Sequence, residues 1–218
     1  MPSWNIHIAH AERLLSEEGA AALGITDANA FVFGNLVPDI PVGHIVKDPC
    51  VHVEYRTTHL VDPQHIPLPD ADRFWRRYIA QGEPNDVTLG AWAHLMCDNV
   101  YNSLTRVRIA ELGMKPSTEV RRAKQRDFAL FGDTLDICGE IEADGALFAQ
   151  AAAYPQFELA EADVRAAIAA AHETGLRSRR GKPSSVPAYE LLTPEFFEKA
   201  FAEAQRRCSD ALKGRAAG

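Results

Sequence analysis

A chain of 218 residues suits one sizeable domain with a filled core, and its 46% apolar and 24% charged residues are those of a globular protein. A formal net charge of -7 argues against nonspecific nucleic-acid binding, which needs Lys and Arg to neutralise phosphates, but leaves room for a small phosphorylated substrate held by a metal. Cys50, Cys97, Cys138 and Cys208 lie far apart with no CxxC pair, which excludes a zinc-finger pattern and a dense disulfide framework.

The N-terminal stretch MPSWNIHIAHAERLL carries His, Glu and Arg where a signal peptide needs an unbroken apolar region. No apolar run approaches the roughly 18 residues of a membrane span. The expectation is a reduced, soluble, cytoplasmic protein.

The first helix is expected from Ser3 to about Glu18, with Ile8, Ala11, Leu14 and Leu15 at helical spacing and Glu12, Arg13 and Ser16 opposite. His7 lies on the apolar stripe and His10 flanks it. Asp27 caps a second apolar segment, NAFVFGNLVPDI, in which Pro38 and Pro41 end regular structure around Asp39. Residues 41–69 read as a long, ordered functional loop, since structureless loops of that length are uncommon. That loop carries His44, His52, His59 and His65, and a weak strand signal near Val51 to Val53.

Asp70 caps a short helix, DADRFWRRYIAQG, in which Trp75 suits the core and Arg76 and Arg77 could face an anionic substrate. A long helix spans about Asp86 to Gly113, and another runs from Ser117 through KQRDFALFGDTLD with an S-T-E capping pattern. Helices follow at 142–154, 161–180 and 193–213, the last opened by Thr193-Pro194-Glu195. The fold class is therefore all-α: seven or eight helices in one bundle-like domain spanning residues 1–218.

Within the long helix, WAHLMCDN sets His94 and Asp98 four residues apart in an otherwise apolar run, so both side chains lie on one helix face. An imidazole and a carboxylate aimed the same way suit a borderline-soft divalent ion such as zinc. Measured from the Leu89, Ala93, Met96, Val100 stripe, however, the pair points to the other side, where a solvated ion pair is the plainer reading. Cys97, between them, points to another face and reads as a small core residue.

The segments MPSWNIHIAHAERLL, NAFVFGNLVPDI, YRTTHL and LGAWAHLMCDN, in that order, resemble the zinc-dependent phospholipase C family, an all-α fold shared with single-strand-specific zinc nucleases. The resemblance covers roughly the first 100 to 135 residues. It implies that Asp39, His59, His94 and Asp98 hold one metal, and that His7, with His10, binds a neighbouring ion bridged by Asp98. Asp39 or Asp98, as a carboxylate on metal-bound water, would then accept its proton.

The chain also departs from the family. The N-terminal tryptophan that supplies backbone ligands there is poorly matched by Trp4. The two further histidines and a glutamate expected beyond the HxxxD helix are missing, since the only later histidine is His172. Asp127 in RDF, or Asp133 and Asp136, could stand in as oxygen ligands, and RDF reads equally as a helix-surface charge. His10 reads equally as a histidine bonded to a backbone carbonyl. The RSRRGK stretch at 177–182 is a phosphate-binding candidate or a solvated helix end.

The expected function is metal-assisted hydrolysis of a phosphodiester or phosphoester, with one or two zinc ions and a small phosphorylated or phospholipid substrate. The alternative is a non-catalytic zinc-binding scaffold on the same fold.

Overall fold

A computed structural model describes residues 2–62, 64–181, 185 and 187–217. Among these residues the architecture is all-helical, with no strand. The helices are α1 (Trp4–Glu18), α2 (Ala28–Gly34), α3 (Tyr55–Thr58), α4 (Ala71–Tyr78), α5 (Asp86–Glu111), α6 (Thr118–Gly132), α7 (Gly145–Ala152), α8 (Glu161–Arg180) and α9 (Pro194–Ala216), with 3-10 turns at Ala21–Leu23 and Val37–Val42. Eight of the nine helices have seven or more residues. No helix among the described residues is long and apolar enough to cross a membrane.

Several boundaries are set by side chains that accept from orphan backbone N–H groups in the first turn. Asp27 accepts from Ala30, Asp70 from Arg73, Asn85 from Thr88, Ser117 from Val120 and Thr193 from Phe196.

Helix α5 runs through the middle of the bundle and packs on α2, α9, α4, α1 and α7. Its crossing with α2 is close because glycines meet there. A Cβ at Gly90 would stand 2.2 Å from the Phe31 carbonyl oxygen, and one at Gly34 would stand 2.3 Å from the Val87 carbonyl oxygen. Two backbones in contact leave no room for a side chain on either. The consequence is positional: the end of α2, and the Asn35 carbonyl beyond it, are pressed against the turn of α5 that carries His94.

The 41–69 segment is not one loop, because α3 interrupts it and delivers His59 at its C-terminal end. The weak strand signal at 51–53 gives no strand. Val53 N–H instead donates to the Pro41 carbonyl at 3.0 Å, closing a turn, and the Asp163 carboxylate accepts from the Cys50 and Val51 N–H groups. A polar stripe on α5 ties down the end of the segment: Asn99 donates to the Pro69 carbonyl, Asn102 to Pro67 and Arg106 to Ile66.

Candidate metal centre

Five polar side chains from four parts of the chain meet beside α5. They are His7 on α1, Asp39 in the 3-10 turn, His59 after α3, and His94 and Asp98 on α5. None is more than 2% exposed. A solvated His94/Asp98 ion pair is therefore excluded: the face opposite the Leu89, Ala93 and Val100 stripe is also covered, by α1 and by the turn after α2.

The hydrogen bonds fix the imidazole tautomers. His94 Nδ1 lies 2.8 Å from the Asn35 carbonyl oxygen, which can only accept, so Nδ1 carries the proton and Nε2 presents a lone pair. Thr58 Oγ1 donates to the Tyr55 carbonyl at 3.2 Å, and so accepts from His59 Nδ1 at 2.7 Å. His59 Nε2 is likewise left with a lone pair. These two Nε2 atoms face each other at 3.2 Å.

The carboxylates are arranged in the same way. The Trp4 indole N–H donates to Asp39 Oδ2 at 3.2 Å, leaving Oδ1 unbonded and 3.7 Å from His59 Nε2. Asp98 Oδ2 lies 3.5 Å from His59 Nε2 and 3.9 Å from His94 Nε2, while Oδ1 lies 3.5 Å from His7 Nε2. Neither Asp98 oxygen and neither His7 nitrogen has a hydrogen-bond partner. Each such orphaned buried group costs on the order of 1–3 kcal/mol, more when charged. A cation held among them would remove that cost.

Two overlapping groups among the described residues could hold such an ion, His7/His94/Asp98 and Asp39/His59/His94, with ligand atoms within 4.8 Å of one another in each. His94 has a single free nitrogen and can serve only one ion. The two groups are therefore alternatives for an ion on His94, and Asp98 Oδ2 stands beside the second, 3.5 Å from His59 Nε2. In the first, the His7 ring stacks on His94 at 3.8 Å and its Nε2 lies 3.5 Å from Asp98 Oδ1.

Burial sets the charge states. It depresses His94 to about 4 and holds His59 well below its ordinary value, so both rings are neutral ligands near neutrality. It raises Asp39 to about 6. Burial opposes ionisation of Asp98 as well, but contact with the His7 and His94 rings outweighs it and holds that carboxyl well below the usual carboxylate range.

Other expected ligands lie elsewhere. His10 is buried, but its Nε2 pairs with the Tyr101 hydroxyl at 3.1 Å and its ring stacks on Phe201 at 3.9 Å; it belongs to neither group. Asp127 is a correction of another kind. Its carboxylate accepts from the Glu190, Leu191 and Leu192 N–H groups, each at 2.8 Å, so it anchors the approach to α9 instead of a metal. His44, His52, His65, Asp133 and Asp136 belong to neither group, and His172 bonds to the backbone of Ile141. Arg76 and Arg77 are exposed on α4, and Trp75 packs edge-on against Trp92. In RSRRGK, Arg179 bonds to the Cys138 carbonyl, and Lys182 lies outside the described residues.

Asn35, Thr58 and the indole of Trp4 escaped sequence reasoning although they orient three of the ligands. Asn35 acts through its carbonyl, which has no residue signature. Thr58 had a signal, because a hydroxyl residue directly precedes His59 in YRTTHL.

Comparison with protein-family models, with curated proteins and with solved structures returns no match.

Proposed function

We propose that the chain is a zinc-dependent phosphoester hydrolase of the phospholipase C type. The observation that carries the metal is the pair of opposed lone pairs on His59 and His94 Nε2 at 3.2 Å. Two nitrogens bound to a tetrahedral zinc at 2.0–2.1 Å stand about 3.3 Å apart. Neutral imidazoles with Nδ1 held by a carbonyl or hydroxyl, plus carboxylate oxygens, form a donor set suited to zinc. The phosphoester substrate rests on the ordered segments that resemble those of the zinc-dependent phospholipase C family.

When bound, the ion would supply Lewis acidity and a water of lowered pKa. The chain's own part is to present Asp39 Oδ1 and Asp98 as the carboxylates able to take a proton from that water, and to hold both away from bulk solvent.

A second reading is favoured by the complete burial of all five residues: a structural zinc in a non-catalytic scaffold, whose ligand set is closed. Two measurements separate the readings. Metal content per chain is determined for wild type and His94→Ala, purified without chelators or affinity metals. The zinc-loaded protein is then assayed on a chromogenic phosphodiester. One or more zinc ions per chain, lost in His94→Ala along with turnover, supports the hydrolase. Zinc without turnover on any phosphoester supports the scaffold, and no zinc overturns both.

A further inference from the structure

A cavity of about 240 Å³ opens beside Tyr55, next to the metal-type ligands. Arg121, Lys124, His44, Gln64 and Gln125 line it with Tyr55, and among the described residues no lining side chain is acidic, on a chain whose net charge is -7. The volume is below that of pockets for drug-sized ligands, so the site suits a compact group.

Lys124 gives the cavity its character. It is 1% exposed, and its ammonium donates to a neutral amide oxygen, Asn102 Oδ1, at 2.7 Å and lies over the Phe128 ring at 5.2 Å. Asn102 is itself committed, donating to the Pro67 carbonyl at 2.8 Å. Among the described residues neither Lys124 nor Arg121 belongs to an ion pair. A buried ammonium whose contacts are a neutral amide and an aromatic ring, with no ion pair among those residues, is under-compensated, and an anion entering the cavity would restore the balance. Tyr55 forms the wall toward the metal-type ligands. Its ring stacks on His59 at 3.9 Å, and its hydroxyl is buried on the side of Asp98. The wall is one ring thick, since Tyr55 both lines the cavity and stacks on His59.

We infer that this cavity seats the anionic phosphoryl group of the substrate, with Lys124 and Arg121 as its cationic partners and the Tyr55 hydroxyl as a donor on the side facing His59 and Asp98. The assignment rests on the phosphoester reading above. Arg121 is at the exposed rim, where its fork of N–H groups matches a phosphoryl oxygen pair, and Lys124 is the fixed charge at the back. Both are binding residues.

The test is calorimetric titration of the full chain with inorganic phosphate, in zinc-loaded and metal-free forms, for wild type, Arg121→Gln and Lys124→Met. Zinc content is measured for each. Saturable binding that weakens with salt, and that falls about tenfold or more in Arg121→Gln with zinc content unchanged, is expected. Arg121 is on the surface, so that variant carries the test even if Lys124→Met fails to fold.

Phosphate affinity equal to wild type in Arg121→Gln, or no saturable binding at all, would overturn the assignment while leaving the zinc result standing. Absence of zinc together with Arg121-dependent phosphate binding would instead remove the metal reading and keep the cavity. A further arm uses phosphatidylglycerol-containing vesicles. Release from them by phosphate supports a lipid phosphodiester as the source of the group, and phosphate binding without vesicle binding supports a soluble ester.

Discussion

His59 and His94 point their unprotonated Nε2 atoms at one another across 3.2 Å, each held there by a partner that accepts from its Nδ1–H. Such an arrangement is electrostatically unfavourable unless something positive lies between the rings. It follows that the partners at Nδ1 matter as much as the ligands. Thr58→Val removes the acceptor for His59 Nδ1 while keeping shape. Zinc affinity is expected to fall 10- to 100-fold, as for other outer partners of ligating histidines. Competition with a chromogenic chelator measures it, and unchanged affinity would show that Thr58 does not orient His59.

Asp39→Asn is expected to act with opposite signs in two states. Burial raises the Asp39 carboxyl to about 6, against an ordinary 3.8, so its ionised form is a cost to the metal-free fold above that pH. Asparagine keeps an acceptor for the Trp4 indole and removes the charge. At pH 8 the metal-free variant should gain about 2–3 kcal/mol in denaturant unfolding, while its stabilisation by added zinc shrinks. A loss of stability without metal would contradict this account.

Acid should destabilise the metal-free protein. His94 binds its proton near 4 in the fold but near 6.5 when unfolded, so the stability tied to its neutral form is full above 6.5 and is lost as pH falls toward 4, about 3 kcal/mol in all. His59 and His10, also depressed by burial, act in the same direction. Asp39 opposes them, because it takes up a proton in the fold before it does so unfolded. Three imidazoles outweigh one carboxyl, and the melting temperature should drop between pH 7 and 4.5. A rise over that interval would mean that Asp39 dominates.

Gly90→Ala tests the α2–α5 crossing. The added methyl would meet the Phe31 carbonyl oxygen at 2.2 Å, and neither backbone can step aside alone. A loss of about 3 kcal/mol is expected, with weaker zinc binding because the Asn35 carbonyl is displaced from His94. Wild-type stability in a melt would show that the two helices separate easily.

Asp127→Asn separates an anchoring role from a metal-binding one. Its oxygens hold three N–H groups ahead of α9, so the substitution should cost about 2–3 kcal/mol and leave zinc content untouched. Zinc loss in a folded Asp127→Asn protein would return this residue to the ligand set.

Local pattern alone determined the all-helical character, the caps at Asp27, Asp70, Ser117 and Thr193, and the i,i+4 pairing of His94 with Asp98. Those features depend on residues within one or two turns of each other, so periodicity and hydrogen-bonding type suffice to reveal them. The short helix Tyr55–Thr58 inside a Pro- and His-rich stretch was not legible, because four residues are too few to show a period. Tertiary structure decided which polar residues converge. His10 and Asp127 look as eligible as His7 and Asp39 along the chain, but helix rotation turns His10 toward Tyr101 and Phe201, and three N–H groups from residues 190–192 occupy Asp127. The glycine contact between α2 and α5 likewise decided the outer partners, since it brings the Asn35 carbonyl to His94 across 59 positions of sequence, and a carbonyl carries no residue identity to read. Convergence of distant groups depends on how the helices pack, and no local spacing records it.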